Sequence, residues 1–501
     1  MKMKMKTFQK IGFIAAIFLA AATTSCDKQP VEPPTGYQEQ ILFGADSTQI
    51  GSGEKRFVIK QSHTIKKGVY TLVGWVYVDA GATLTIEAGT VIKGSNVSFD
   101  GTEAAQGSSL IIKRGAKIVA EGTAAQPIVF TSAKPAGQRQ ASDWGGIIIC
   151  GNAKNNATGG VMTVEGGIEA DHGGNNDSDN SGILRYVRIE FGGYPYAVDN
   201  EINGLTLGSV GSGTTIDHVQ VSYSGDDSFE WFGGSVNAKH LIAYHGWDDD
   251  FDTDNGFSGK LQFLLGVRDP KIADQSNSNG FESDNNASGS TSEPITSAVF
   301  SNVTLIGPMG QDAAFINDRT YIDGYNWGEN SGIRTGIFQA AMQIRRHSRL
   351  NCFNSAAVGY PVGLMLSNDG KGQTQEAAAQ GLLKLKNIYF AGMGLLGADF
   401  DKKNPEEWSG DISSNYFNTA SLNNRSFTTI SALGLKQPNS KQPNASYAPM
   451  AGSPLLTGAD FTDALLNDTF FQQVAYAGAF SGESDNWASG WTNFDPQNTE
   501  Y

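Results

Sequence analysis

Cysteine is almost missing from this chain. Of 501 residues only Cys26, Cys150 and Cys352 carry a thiol, too few for a disulfide framework. Cys150 and Cys352 lie against apolar neighbours, in Ile147-Ile148-Ile149-Cys150 and Cys352-Phe353, and are expected as buried free thiols. Proline is scarce as well, 16 residues against 61 glycines, and the apolar runs are short and rich in Val, Ile, Leu and Phe. That combination calls for many short strands joined by tight turns, with little helix. Positive charge is in deficit: 36 Lys and Arg face 51 Asp and Glu, a formal charge of −15. Such a surface repels nucleic acid and anionic bilayers. Beyond residue 22 no run is apolar enough to span a membrane.

What is present begins at the amino terminus. Lys2, Lys4, Lys6 and Lys10 precede an apolar run from Ile11 to Ala22, the pattern of a secretory signal that is removed on maturation. Removing those four lysines, with no acid among residues 1–25, takes the formal charge from −15 to −19. Thr23-Thr24-Ser25-Cys26 resembles a bacterial lipobox, with Thr23 where that motif usually has Leu; an ordinary signal peptide is the alternative. The resemblance implies cleavage before Cys26, acylation of that cysteine and anchorage to the outer membrane by lipid alone. Residues 26–45, with Pro30, Pro33 and Pro34, would then form an extended tether.

The chain also matches itself at a spacing of 22 residues. Setting His218 to Gly234 over His240 to Gly256 aligns the two histidines, Asp226-Asp227 with Asp248-Asp249, Phe229 with Phe251, and Glu230 with Asp252. After a loop of eight extra residues the phase returns as Phe281-Glu282. A repeat this short is one coil of a solenoid. Coils stack at the inter-strand spacing of about 4.8 Å, so Phe229, Phe251 and Phe281 should stack indoors while Glu230, Asp252 and Glu282 form a ladder outside. Two unit charges at that spacing repel by about 3–4 kcal/mol at an effective dielectric near 20. A buried ladder therefore needs a proton, an Arg or Lys, or a cation, and for hard oxygen ligands the natural cation is calcium.

Two segments fit calcium chemistry locally. Asp250-x-Asp252-x-Asp254-Asn255-Gly256 has alternating acids and a glycine turn, and Asp177-x-Asp179-x-Ser181-Gly182 repeats the idea. Neither is an EF-hand, because twelve-residue counting places Leu261 and Arg188 where a bidentate Glu is required. The candidate metal ligands are thus Asp248, Asp249, Asp250, Asp252, Asp254, Glu230 and Glu282, with Asp177 and Asp179 as a second group. The plainer alternative is that Asp, Asn and Gly simply build exposed turns. His218 and His240 lack a third His or a Cys, so zinc is disfavoured and stacked strand-boundary histidines are expected instead.

The segment from Trp75 to Ala120 shows period-two apolar residues broken by glycine turns. Its Gly-Ala-x-Leu-x-Ile-x-x-Gly-x-Val-Ile pattern resembles the first coils of right-handed parallel β-helix proteins of the pectate-lyase-like superfamily. Asp179 to Phe191, Gly225 to Gly234, Asp248 to Gly256 and the ending Trp491 to Pro496 are similar to a family of bacterial β-helix envelope lipoproteins. That resemblance covers most of the chain after about residue 70 and implies an envelope location more than an activity. The expected fold is all-β: a right-handed parallel β-helix over 46–470 with protruding loops at Ala153–Ser181, Pro308–Ile333 and Ser367–Gln380, and a C-terminal cap over 471–501 containing Trp487, Trp491 and Phe494.

Function divides into two expectations. The first is a non-catalytic module, calcium-bearing, that binds a glycan, a nutrient or an envelope transporter, with Trp231, Phe232, Trp247, Tyr325 and Trp327 as candidate ligand contacts. The second is cleavage of a polysaccharide. Gly225-Asp226-Asp227 followed by His245-Gly246 resembles the polygalacturonase pattern, although no Arg-x-Lys follows and the Asp doublet recurs as part of the coil repeat. On that reading Asp226, Asp227 and Asp249 supply acid and base and His245 positions the substrate, with carboxyl groups about 6.5–9.5 Å apart for inversion. A calcium-dependent lyase would instead draw on the Arg345-Arg346-His347 run, which also reads as cations facing the acid ladder.

Overall fold

A computed structural model describes residues 39–501 apart from residue 45 and segments 53–55, 96–106, 198–199, 328–334, 401–407, 409 and 437–446. The signal segment, Cys26, most of the tether and residues 328–333 of the loop from Pro308 lie outside the described residues. Glu39 to Tyr501 form one unit, so chain expected as tether from 39 onward already belongs to the folded body.

The repeats become rungs. Strands hydrogen-bond in parallel to their counterparts one coil away and build two long sheets, one of 16 and one of 11 strands among the described residues. In the smaller sheet Phe229–Phe232, Phe251–Asp254 and Phe281–Ser283 are successive strands, with Phe229 opposite Phe251 opposite Phe281. Their rings stack at 5.6 and 5.7 Å between centroids inside the coil. Ladders of Ile, Leu and Val fill the rest of the interior. Cys150 and Cys352 are buried free thiols in these walls. Helix is confined to short pieces, and no helix among the described residues is long and apolar enough to cross a membrane.

The larger sheet has a corner built into each rung. Its long strands, among them Thr215–Ser222, Asn237–Tyr244 and Lys260–Val267, each skip one residue in the pairing register. The skipped residues are Tyr186, His218, His240, Phe263, Asn302, Asn354 and Asn387, all left-handed, with φ between 50° and 63°. That conformation costs an L-residue about 1–2 kcal/mol, least for Asn and His. Stacking offsets it: Tyr186 to His218 is 4.4 Å, His218 to His240 is 4.2 Å and His240 to Phe263 is 5.3 Å between ring centroids. Further along, the Asn387 amide donates to Asn354 at 2.8 Å. The paired histidines of the repeat are thus corner residues stacked on one another, and His240 Nδ1 lies 2.8 Å from the Asp217 carboxylate.

The carboxyl-terminal segment does not close the open end of the solenoid. It runs back along the outside of the larger sheet. Residues near 472 meet the Gln262 rung, Asn493 meets Gln220, and Tyr501 reaches Lys93 and Arg188. Trp487 and Trp491 cover the stacked histidines, whose ring edges would otherwise face water. The open end is closed instead by the helix Ile412–Phe417, with Phe417 stacked on Phe390 at 4.7 Å and Ser413 Oγ accepting from Leu366 N. Gln220 is the central anchor of this strap: fully buried, it donates to Asn493 O at 2.8 Å and accepts from Asn493 N at 2.9 Å. Gln220→Leu would orphan both backbone groups and should cost about 1–3 kcal/mol in denaturant unfolding, with faster proteolysis near Trp491. An unchanged midpoint would mean the strap contributes nothing to the fold.

Candidate functional site

Side chains alternate across a strand, so the inward Phe stack places Glu230, Asp252 and Glu282 together on the outer face. The turns that precede these strands add Asp226-Asp227 and Asp248-Asp249, one doublet per coil. Loops add Glu165, Glu201 and Asp274, none of which the repeat pattern singles out. These acids line a cleft of about 230 Å³ together with Gln275, Ser276 and Arg345.

Two carboxylate triads stand out. Asp226, Asp227 and Asp248 offer oxygens within 4.8 Å of one another, as do Asp227, Glu230 and Asp252, so Asp227 is shared. Burial, and then repulsion from Asp226 and Asp249, pushes the Asp227 carboxyl well above the usual carboxylate range. Glu230 rises through burial and the Asp252 charge, and Asp252 through burial and the Glu282 charge. Asp254 is pushed up to about 8 by burial and by Asp284. Local hydrogen bonds satisfy part of the demand: Asp249 N donates to Asp227 at 2.8 Å, Ser276 Oγ to Asp248 at 2.6 Å, and Asn203 to Glu230. Asp248 Oδ1 and Asp252 Oδ1 are buried without a hydrogen-bond partner. An all-oxygen set with crowded charge and orphaned oxygens fits a hard divalent cation, and the acids of this cleft could coordinate one.

The predicted ligands do not all meet there. Asp248, Asp249, Asp252, Glu230 and Glu282 line the cleft. Asp254 stands two residues further along its strand, on the same face as Asp252. Asp250 faces the other way: it is fully buried and pairs with the equally buried Arg268 at 3.0 Å. The alternation of acids from Asp250 to Asp254 therefore does not converge on one point. Asp177 pairs with Lys154 at 2.7 Å, and Asp179 accepts from Asn152 at 3.0 Å and Ser181 at 3.1 Å, which makes that segment a self-satisfied turn. A third group, Asp217, His218 and His240, also clusters within 4.8 Å. Its rings are stacked face to face; His240 Nδ1 hydrogen-bonds the Asp217 carboxylate at 2.8 Å, and His218 Nδ1 lies 2.9 Å from the same oxygen without hydrogen-bond geometry.

The aromatic candidates divide as well. Trp231 is fully buried between Phe229 and Phe257, at 5.9 and 5.4 Å, because it shares the inward face with Phe229. Phe232 and Trp247 are 4% and 3% exposed and cannot stack on a sugar. Tyr325 is exposed, and Trp327 stacks beside it at 5.3 Å. His245 does not join Asp226 and Asp227: it lines a different cavity, 3.5 Å from Asp269. Asp269 had no signal in the sequence beyond a charged pair, Arg268-Asp269, ending an apolar strand.

Arg345 and Arg346 serve as counter-ions. Arg345 pairs with Glu282 and with Asp284 at 3.0 Å, and Arg346 with Asp284 at 2.8 Å and Asp369 at 3.0 Å. His347 is buried and lies outside the cleft lining.

Comparison with known proteins adds the following. The family described as the pectate-lyase like beta helix domain matches residues 57–432. No curated protein matches the chain. Among solved structures, the Dettilon tailspike protein is similar at 12% identity with a TM-score of 0.21, over 68% of this chain and 59% of that one.

Proposed function

Since this chain belongs to the pectate-lyase-like β-helix family, we propose that it engages polysaccharide at the acidic cleft, with calcium held by the two carboxylate triads as the bridge to the sugar. The observation that carries this reading is the pair of triads sharing Asp227, with partnerless oxygens on Asp248 and Asp252. A cation seated there replaces like-charge repulsion with attraction and leaves coordination positions for a glycan hydroxyl or carboxylate. The test is polysaccharide binding to the mature protein in calcium and in EDTA, over acidic and neutral polymers. Binding should be lost in EDTA and weakened about tenfold or more by Asp227→Asn, which removes the shared ligand. Calcium-independent binding to every polymer would overturn the proposal.

Turnover, rather than binding alone, is favoured by the family and by one feature of the cleft. Asp249, which belongs to neither triad and whose carboxyl is raised well above the usual carboxylate range by burial and by Asp248, is an acid able to donate a proton in the same cleft as Asp226. His245 lines the other cavity, so a hydrolytic scheme in this cleft draws on the carboxylates alone. Reducing-sugar release by the wild-type protein, abolished by Asp226→Asn, is the expected result; binding without any release would leave a non-catalytic module. For location, we propose acylation at Cys26 and anchorage in the outer membrane, with an envelope transporter as candidate partner. Palmitate labelling lost in Cys26→Ala and co-purification in mild detergent test the two parts separately.

A further inference from the structure

A second cavity, of about 270 Å³, opens on the other side of the Trp247 turn from the acidic cleft. Its walls are aromatic, from Tyr223, Tyr325 and Trp327, and its polar groups are His245, Asp269 and Gln497, the last supplied by the C-terminal strap. Tyr223 and His245 each precede a cleft acid, Asp226 and Asp248, by three residues, so at most about 11 Å of chain separates the two sites. Asp269 is buried; it accepts from the Tyr325 hydroxyl at 3.0 Å and from Lys271 N at 2.9 Å, and lies 3.5 Å from His245 Nδ1. The other ring nitrogen, His245 Nε2, is buried with no hydrogen-bond partner on a residue only 4% exposed.

We propose that this cavity is a subsite for one uncharged pyranose ring of the glycan whose engagement at the acidic cleft is proposed above. Among the described residues the lining has no Lys or Arg, so a uronate would meet the Asp269 charge uncompensated by them. A quaternary ammonium needs a box of open ring faces. Here the rings pack on one another, Tyr223 to Trp327 at 5.9 Å and Tyr325 to Trp327 at 5.3 Å, which leaves a shallow platform. Three directional groups, a carboxylate, an imidazole nitrogen and an amide, suit vicinal hydroxyls above such a platform.

The test is tryptophan fluorescence and ligand-observed NMR on the mature protein, in EDTA, with glucose, galactose, mannose, N-acetylglucosamine, galacturonate and choline as probes. At least one neutral sugar should saturate the signal. Its affinity should fall about tenfold in Trp327→Ala and in Tyr325→Phe, the latter removing only the hydroxyl that orients Asp269. Tyr325 is exposed and Trp327 half-buried against Tyr223 and Trp247, so circular dichroism will verify that both variants keep the fold. No saturable binding of any neutral sugar, preference for galacturonate or choline, or binding that survives Trp327→Ala overturns the subsite. Because the assay runs without calcium, a failed cation cleft and a failed sugar cavity give different results.

Discussion

Arg268→Met should lower the unfolding free energy by about 3–5 kcal/mol, because it leaves the Asp250 carboxylate buried without its counter-ion. Both side chains are completely inaccessible, 3.0 Å apart, and Arg268 also donates to the Trp247 carbonyl at 3.2 Å while lying over the Phe338 ring. Burial lifts the Asp250 carboxyl to about 6 even with the guanidinium opposing it. Without Arg268 it rises further, so the native state of the variant keeps a proton that the unfolded chain releases above its ordinary value of 3.8. The sign follows: both native states hold this proton below about 6, so the deficit is flat from pH 4 to about pH 6 and grows as pH rises above it. The double variant Asp250→Leu/Arg268→Met should regain most of the loss, since an apolar pair of similar volume avoids the desolvation cost. Guanidinium unfolding on both sides of about pH 6 measures all three; a single variant within about 0.5 kcal/mol of wild type would show that water solvates this pair.

Much of this architecture is readable because its period is short. A 22-residue repeat carries its register with it, so aligning Phe229 with Phe251 in the sequence is the same operation as pairing them in the sheet. The outward acids follow from strand alternation alone. Two kinds of information are not local. One is the direction of turn residues: Asp250 lies outside the strand that begins at Phe251, where alternation no longer applies, and it turned inward to Arg268. The other is what distant segments contribute. Glu165, Glu201 and Asp274 enter the cleft from loops of irregular length, and the final residues, rich in Trp and Asn, suit covering any exposed ladder. Their target, the stacked Tyr186, His218 and His240 corner, exists only once the coils are stacked. Burial likewise separates Trp231 from Tyr325, two aromatics that look alike as letters.

Stripping divalent cations should make the protein progressively less stable as pH rises from about 4 to about 8, and calcium should abolish that trend. The carboxyls of Asp227, Glu230, Asp248, Asp249, Asp252 and Asp254 are all raised in the folded state, by burial first and by neighbouring carboxylates second. A raised acid binds more protons folded than unfolded, so its contribution is present below the unfolded value, 3.8 for Asp and 4.5 for Glu, and is lost as pH climbs through the folded one, about 8 for Asp254. Each extra proton held by the native state gives a slope of about −1.4 kcal/mol per pH unit. Calcium displaces those protons and supplies the missing positive charge, adding about 2.7 kcal/mol per site at a hundredfold excess over Kd and releasing protons measurable by calorimetry in buffers of different ionisation enthalpy. Asp227→Asn separates repulsion from ligation: without metal at pH 8 it should be more stable than wild type, because one charge has left the centre of both triads, while in calcium it should be less stable because both sites have lost a ligand. Superimposable calcium and EDTA curves at pH 8, or a metal-free stability that increases with pH, would mean that the crowded acids find their compensation in Arg345 and solvent, and the cleft would then have no call on a cation.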